Sequence, residues 1–148
     1  HGWRKKPIEA PGGDAIFRAG LIRLAELADD EPGPRHLIHN DLLNRNVLVE
    51  NGSLSALFDW GCSVYGDFVH DVALLEFWSP WFPPLEKVGI LDRYREHCSA
   101  GGVEVPDLDS RVQACLIHIG LDHIAYHAHT GRFDELGGVS RRLESILS

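Results

Sequence analysis

The residues best suited to chemistry lie in one short stretch, His39-Asn40-Asp41-Leu42-Leu43-Asn44-Arg45-Asn46, followed after a brief interval by Asp59-Trp60-Gly61. Between them, Val47 to Val49 and Leu54 to Phe58 are apolar runs separated by Asn51-Gly52, the dipeptide that most readily adopts the positive φ angles of a tight hairpin turn. The pattern predicts a two-stranded ribbon. Because a hairpin returns to its origin, Asn46 and Asp59 must finish side by side, with Asp41 in the loop just before them. Amide and carboxylate oxygens gathered in this way suit a hard divalent cation such as Mg²⁺, which takes few protein ligands and is completed by water and substrate phosphates. Asp41, five positions ahead of Asn46, is then free to accept a proton from an attacking hydroxyl.

An Asp, an Asn five residues later, a hairpin and an Asp-x-Gly reproduce the spacing of the kinase catalytic loop. His39-Asn40-Asp41 through Asn46, Asp59-Trp60-Gly61, Gly66-Asp67 and Asp71-Val72-Ala73 together resemble the C-terminal lobe of the aminoglycoside phosphotransferase family. Arg35-His36-Leu37-Ile38-His39, the Asp59-Trp60 pair and Phe77-Trp78-Ser79-Pro80-Trp81 are most similar to the hygromycin phosphotransferases, and the resemblance runs from about Arg35 to about Asp134. It implies Asp41 as base, Asn46 and Asp59 as metal ligands, Leu48 and Phe58 under the adenine, and His39 and Asp71 behind them. It also implies ATP (or GTP) with Mg²⁺ as cofactors and an aminoglycoside hydroxyl as acceptor. The fold implied is the mostly helical C-terminal lobe of a protein-kinase-like α+β fold, with the hairpin as its β element and five or six helices.

The rest of the chain supplies elements to position these residues. Residues 1 to 13 read as a tail broken by Pro7, Pro11 and Gly12-Gly13. Asp14 is a candidate N-cap for a helix from Ala15 to about Asp29, ended by Glu31-Pro32-Gly33-Pro34, after which Leu37-Ile38 is strand-like. Gly61 to Asp67 reads as an irregular loop, Phe68 to Trp78 as an apolar helix, Leu85 to about His97 as another, and Phe133 to Leu147 as a last one with a possible break at Gly137-Gly138. Leu108 to His129 is apolar on both sides and belongs at the centre of the core. Asp67 reads as a cap, and Asp71 in a first helical turn reads most simply as charge complementing the helix N-terminus. The resemblance instead has Asp71 brace the catalytic loop.

Three side chains are candidate substrate contacts. Trp78 and Trp81 are either packing or a platform for a sugar ring, and Asp122 is either a satisfied core carboxylate or a contact to a substrate ammonium. His123 and His127, four residues apart, lack the Glu of a His-Glu-x-x-His zinc motif and read as buried or capping histidines.

Composition narrows the partners. The 148 residues, 44% hydrophobic and 24% charged, suffice for one globular domain with a core. A net charge of −8 argues against nucleic acid and suits a small cationic substrate. No apolar run is long enough to span a membrane and no signal peptide pattern is present, so the reading is a soluble, cytoplasmic protein with no membrane partner. Cys62, Cys98 and Cys115 suggest neither a disulfide framework nor a zinc knuckle. There is no methionine, and no Gly-rich loop or strand lysine of a nucleotide lobe. We therefore expect a single-domain C-terminal lobe from a processed, cleaved or longer chain, which self-associates in isolation. Rival readings are a noncatalytic fragment or binding module that keeps the motif, a metal-dependent hydrolase, and a kinase of choline, homoserine, a macrolide or another small alcohol.

Overall fold

The computed structural model describes residues 13–28, 34–43 and 45–148. Of the expected tail over residues 1 to 13, all but Gly13 lies outside them, as do Glu31-Pro32-Gly33 of the expected break and Asn44; Gly13 is helical. The chain forms two compact units, one from residues up to Asp30 together with Asp109–Ser148, the other from Glu31–Leu108.

The first unit is helical. Helix α1 spans Gly13–Leu27, so Asp14 falls in its first turn rather than at the cap, and its carboxylate accepts a hydrogen bond from Arg18 Nε at 2.6 Å. The long helix α5, Leu108–Thr130, buries residues on opposite sides, among them Leu116, Ile117, Ile119, Ile124 and Ala128, as its two apolar faces predict. Helix α6, Phe133–Leu147, packs on α1. It runs unbroken through Gly137-Gly138 because Leu136, Val139 and Leu143 bury one face at helical spacing. That burial outweighs the helix penalty of the two glycines, about 1 kcal/mol each.

The second unit carries the β structure, as two ribbons rather than the single one expected. Strands β2 (Val47–Glu50) and β3 (Ser53–Leu57) form the hairpin, with Asn51 and Gly52 at φ 51° and 76°. Their register pairs Val47 with Leu57, Leu48 with Ala56 and Val49 with Leu54, leaving Ser55 as an extra residue whose hydroxyl donates to the Leu48 carbonyl at 3.3 Å. The stretch expected to be an irregular loop is ordered. Trp60–Cys62 is a turn of 3₁₀ helix, and β4 (Val64–Gly66) pairs antiparallel with β1 (His36–Ile38).

Helix α2 (Val69–Trp78) follows, buried along Val69, His70, Ala73, Leu74 and Phe77, and Asp67 caps it by accepting the Val69 N–H at 3.0 Å. The single helix expected from Leu85 to His97 is two: α3 (Pro83–Glu86) and α4 (Ile90–Gly101), the latter packed on α2. Gly89 separates them at φ 64°, a conformation that interrupts a right-handed helix and suits glycine. Among the described residues no helix is long and apolar enough to cross a membrane.

Candidate functional site

The loop between β1 and the hairpin is held from three directions. Asp71, in the first turn of α2 as expected, spends both carboxylate oxygens on backbone donors, accepting the His39 N–H and the Asn40 N–H at 2.8 Å each. The two bonds draw the loop onto the helix start. His39 is 2% exposed, and its Nε2 lies 2.9 Å from the Phe58 carbonyl, so that nitrogen must carry the donated hydrogen. The His39 ring also meets the Trp60 indole at 4.7 Å between centroids. Asn40 takes a left-handed backbone, φ 61°, and its Nδ2 donates to the Cys62 carbonyl at 3.2 Å.

Asn46 and Asp41 form one unit. Asn46 Nδ2 donates to the Asp41 carbonyl at 2.7 Å and to Asp41 Oδ2 at 3.0 Å, with Asn46 only 8% exposed. The amide oxygen of Asn46 is thereby turned away from Asp41. The Phe58 N–H donates to the Asn46 carbonyl at 3.1 Å and closes the ribbon, so Asp59 begins where Asn46 ends. Asp59 is itself left-handed, φ 61° and ψ 58°, and its carboxylate makes no capping bond to the turn that follows. Asn and Asp tolerate that region better than other side chains, yet left-handed backbone at both Asn40 in the loop and Asp59 after the ribbon marks a constrained site. Among the described residues no three His, Cys, Asp or Glu side chains cluster to hold a metal. An ion here would rely on Asn46, Asp59 and oxygens from outside the protein, the donor set that a hard cation on phosphates prefers.

Leu48 is 55% and Phe58 41% exposed at the same ribbon. The aromatic stretch packs on itself: Trp81 lies parallel to buried Phe77 at 6.3 Å, and Trp78 meets Trp81 edge-on at 5.1 Å, leaving Trp81 43% exposed. Asp122 is exposed on α5 in the other unit, so the core-carboxylate reading is wrong, because the apolar neighbours in its sequence point to other sides of the helix. His127 is buried at the end of α5 and its Nδ1 faces Glu135 at 3.5 Å, while His118 and His129 are exposed. Burial pushes the His127 imidazole below the usual histidine value, Glu135 raising it and Arg132 lowering it further.

Asn40 and Trp60 stand inside the motifs quoted from the sequence, but no role of their own was read for either. The signal for Asn40 was its side-chain type, since a residue that turns left-handed between a strand end and the following loop is most readily Gly, Asn or Asp. The contact of Trp60 with His39, twenty-one positions away, has no local signal.

Comparison with known proteins gives the family and the fold class. The family described as "Phosphotransferase enzyme family" matches residues 2–107. Hygromycin-B 4-O-kinase of Escherichia coli is 34% identical over 135 residues, covering 90% of this chain and 37% of that protein. The apo crystal structure of a thermostable mutant of aminoglycoside phosphotransferase APH(4)-Ia is similar at TM-score 0.74 and 32% identity, over 90% of this chain and 43% of that one. The ternary complex of a thermostable mutant of the same enzyme with AMP-PNP and hygromycin B is similar at TM-score 0.75 and 30% identity, with the same coverage. The chain thus spans less than half the length of these relatives. Its fold class is that of their kinase-like C-terminal lobe, α+β and mostly α, as the sequence implied.

Proposed function

We propose, from the premise that the chain belongs to the phosphotransferase enzyme family, that it is the catalytic lobe of a kinase transferring the γ-phosphoryl group of ATP to a hydroxyl of a hygromycin-like aminoglycoside. The observation that carries this reading is the Asn46 amide clamped on Asp41 beside the end of the ribbon that delivers Asp59. Asp41, its Oδ2 held by Asn46, presents the remaining carboxylate oxygen to the acceptor hydroxyl, orients it and takes its proton. The Asn46 Oδ1 and the Asp59 carboxylate would hold Mg²⁺, whose charge, when bound, offsets that on the transferring phosphates. Asp71 and His39 keep the loop and the ribbon end in register. Leu48 and Phe58 offer apolar surface to the adenine of ATP, or to the guanine of GTP.

For the substrate, the exposed edge of Trp81 with Trp78 offers a surface for a sugar ring; Asp122, exposed in the other unit, is a separate candidate for an ammonium contact. The net charge of −8 favours such a cation. A relative that forms a ternary complex with AMP-PNP and hygromycin B supports both halves of the assignment. In the full-length protein, Asp41→Ala should lower phosphoryl transfer to hygromycin B by ~10²-fold or more, the scale of a lost general base, while nucleotide affinity is kept. Turnover by that variant comparable to the parent's would sink the assignment, and turnover of choline, homoserine or a macrolide in place of any aminoglycoside would move it to another acceptor.

A further inference from the structure

We propose that Asn40 is a positioning residue that ties the loop carrying Asp41 to the turn after Asp59 through its side-chain amide. The inference rests on the roles proposed for Asp41 and Asp59.

Two backbone stretches must keep their spacing if a base on one is to serve an ion held by the other. Along the first, the left-handed φ of Asn40 reverses the chain between His39, whose N–H is bound to Asp71, and Asp41, whose carboxylate is bound to Asn46. Along the second, left-handed Asp59 leads directly into the 3₁₀ turn Trp60–Cys62. Asn40 Nδ2 crosses between them to the Cys62 carbonyl at 3.2 Å, while its own backbone N–H is fixed by Asp71 Oδ1 at 2.8 Å. A rigid peptide anchored at one end and a short amide anchored at the other make a strut. His39, bonded to the Phe58 carbonyl on the near side of Asp59, supplies the other support, so Asp59 is bracketed by loop contacts at positions 58 and 62.

The two properties of Asn40, left-handed backbone and amide donor, can be separated. Asn40→Gly keeps the backbone freedom and removes the donor. Asn40→Asp keeps the shape and the tolerance of left-handed φ, but an ionised carboxylate cannot donate to a carbonyl and is repelled by it. The experiment is steady-state phosphoryl transfer from ATP to hygromycin B by the full-length protein and the two variants, with Mg²⁺ titrated, beside their thermal unfolding midpoints. A lost neutral hydrogen bond corresponds to about threefold to tenfold in rate if it is used in the transition state. We expect kcat to fall about threefold in Asn40→Gly and about tenfold in Asn40→Asp, a larger Mg²⁺ requirement in both, and an unchanged KM for the acceptor.

A merely structural residue would instead give variants whose kcat is preserved while the unfolding midpoint drops. That result, or an Asn40→Asp variant equal to the parent, overturns the inference and leaves the proposed function standing. A parent protein that transfers phosphate to no acceptor overturns both.

Discussion

Removing the carboxylate of Asp71 should be among the most damaging single changes in the second unit. Asp71 accepts the backbone N–H groups of His39 and Asn40 at 2.8 Å each, and His39 is buried. A hydrogen bond to a charged acceptor is worth about 1.5–3 kcal/mol, so the two sum to roughly 3–6 kcal/mol. Asn40 is only half buried, so water can replace the acceptor at its N–H, and a net loss of about 2–4 kcal/mol is expected for Asp71→Ala. Asp71→Asn retains one acceptor oxygen but turns an NH₂ toward the second donor, for a loss of about 1.5–3 kcal/mol. Against a total stability of ~5–15 kcal/mol either is a large share. Urea unfolding of the full-length parent and both variants, followed by far-UV circular dichroism, measures it. Activity should fall further than stability requires, since misplacing a base by about 1 Å can cost ~10²-fold. A loss below about 1 kcal/mol for Asp71→Ala would refute the view that these two bonds hold the loop, and equal losses for Ala and Asn would refute the count of acceptors.

Two other consequences can be measured directly. Burial keeps the folded His127 imidazole below the unfolded value of 6.5, so the unfolded chain binds more protons as pH falls past that value. The stability contribution is complete above pH 6.5 and declines below it, and urea midpoints at pH 7.5 and 5.5 should differ more in the parent than in His127→Gln; equal differences would remove His127 from the account. The 148-residue chain by itself, with Leu48 and Phe58 exposed, should bind ATP·Mg²⁺ weakly and self-associate through the ribbon, which calorimetry and light scattering test together. Micromolar ATP affinity in a strictly monomeric chain would contradict both halves.

What could be read from the sequence was what short-range chemistry decides. Asn51-Gly52 announces its turn because few other residue pairs accept two successive positive φ angles, and that turn aligns Asn46 with Asp59. The long apolar pattern of α5 likewise leaves one outcome. The β1 to β4 ribbon escaped because His36 and Gly66 are thirty positions apart and three residues of strand carry no periodicity of their own. Gly89 was read as helix interior because the apolar spacing on both sides continues through it. A break at Gly137-Gly138 stays open in the sequence because propensity is local and the burial that overrides it is not. The same division runs through the site: Asp41, Asn46 and Asp59 are marked by spacing, whereas the two backbone donors on Asp71 and the strut from Asn40 to Cys62 exist only once the chain has folded.

The ribbon with its extra residue at Ser55 has a further meaning when it is considered as a measuring device. Its two arms set how far each strand advances before the chain delivers Asn46 and Asp59 to a common end, and side chains alternate between faces at every step. Lengthening or shortening one arm by a single residue would turn Asp59 to the opposite face or carry it one residue past Asn46, whereas residues added at the Asn51-Gly52 tip would leave the open end untouched. Variation in length among descendants of this gene, or insertion of a tag by design, should therefore concentrate at the tip and spare the arms.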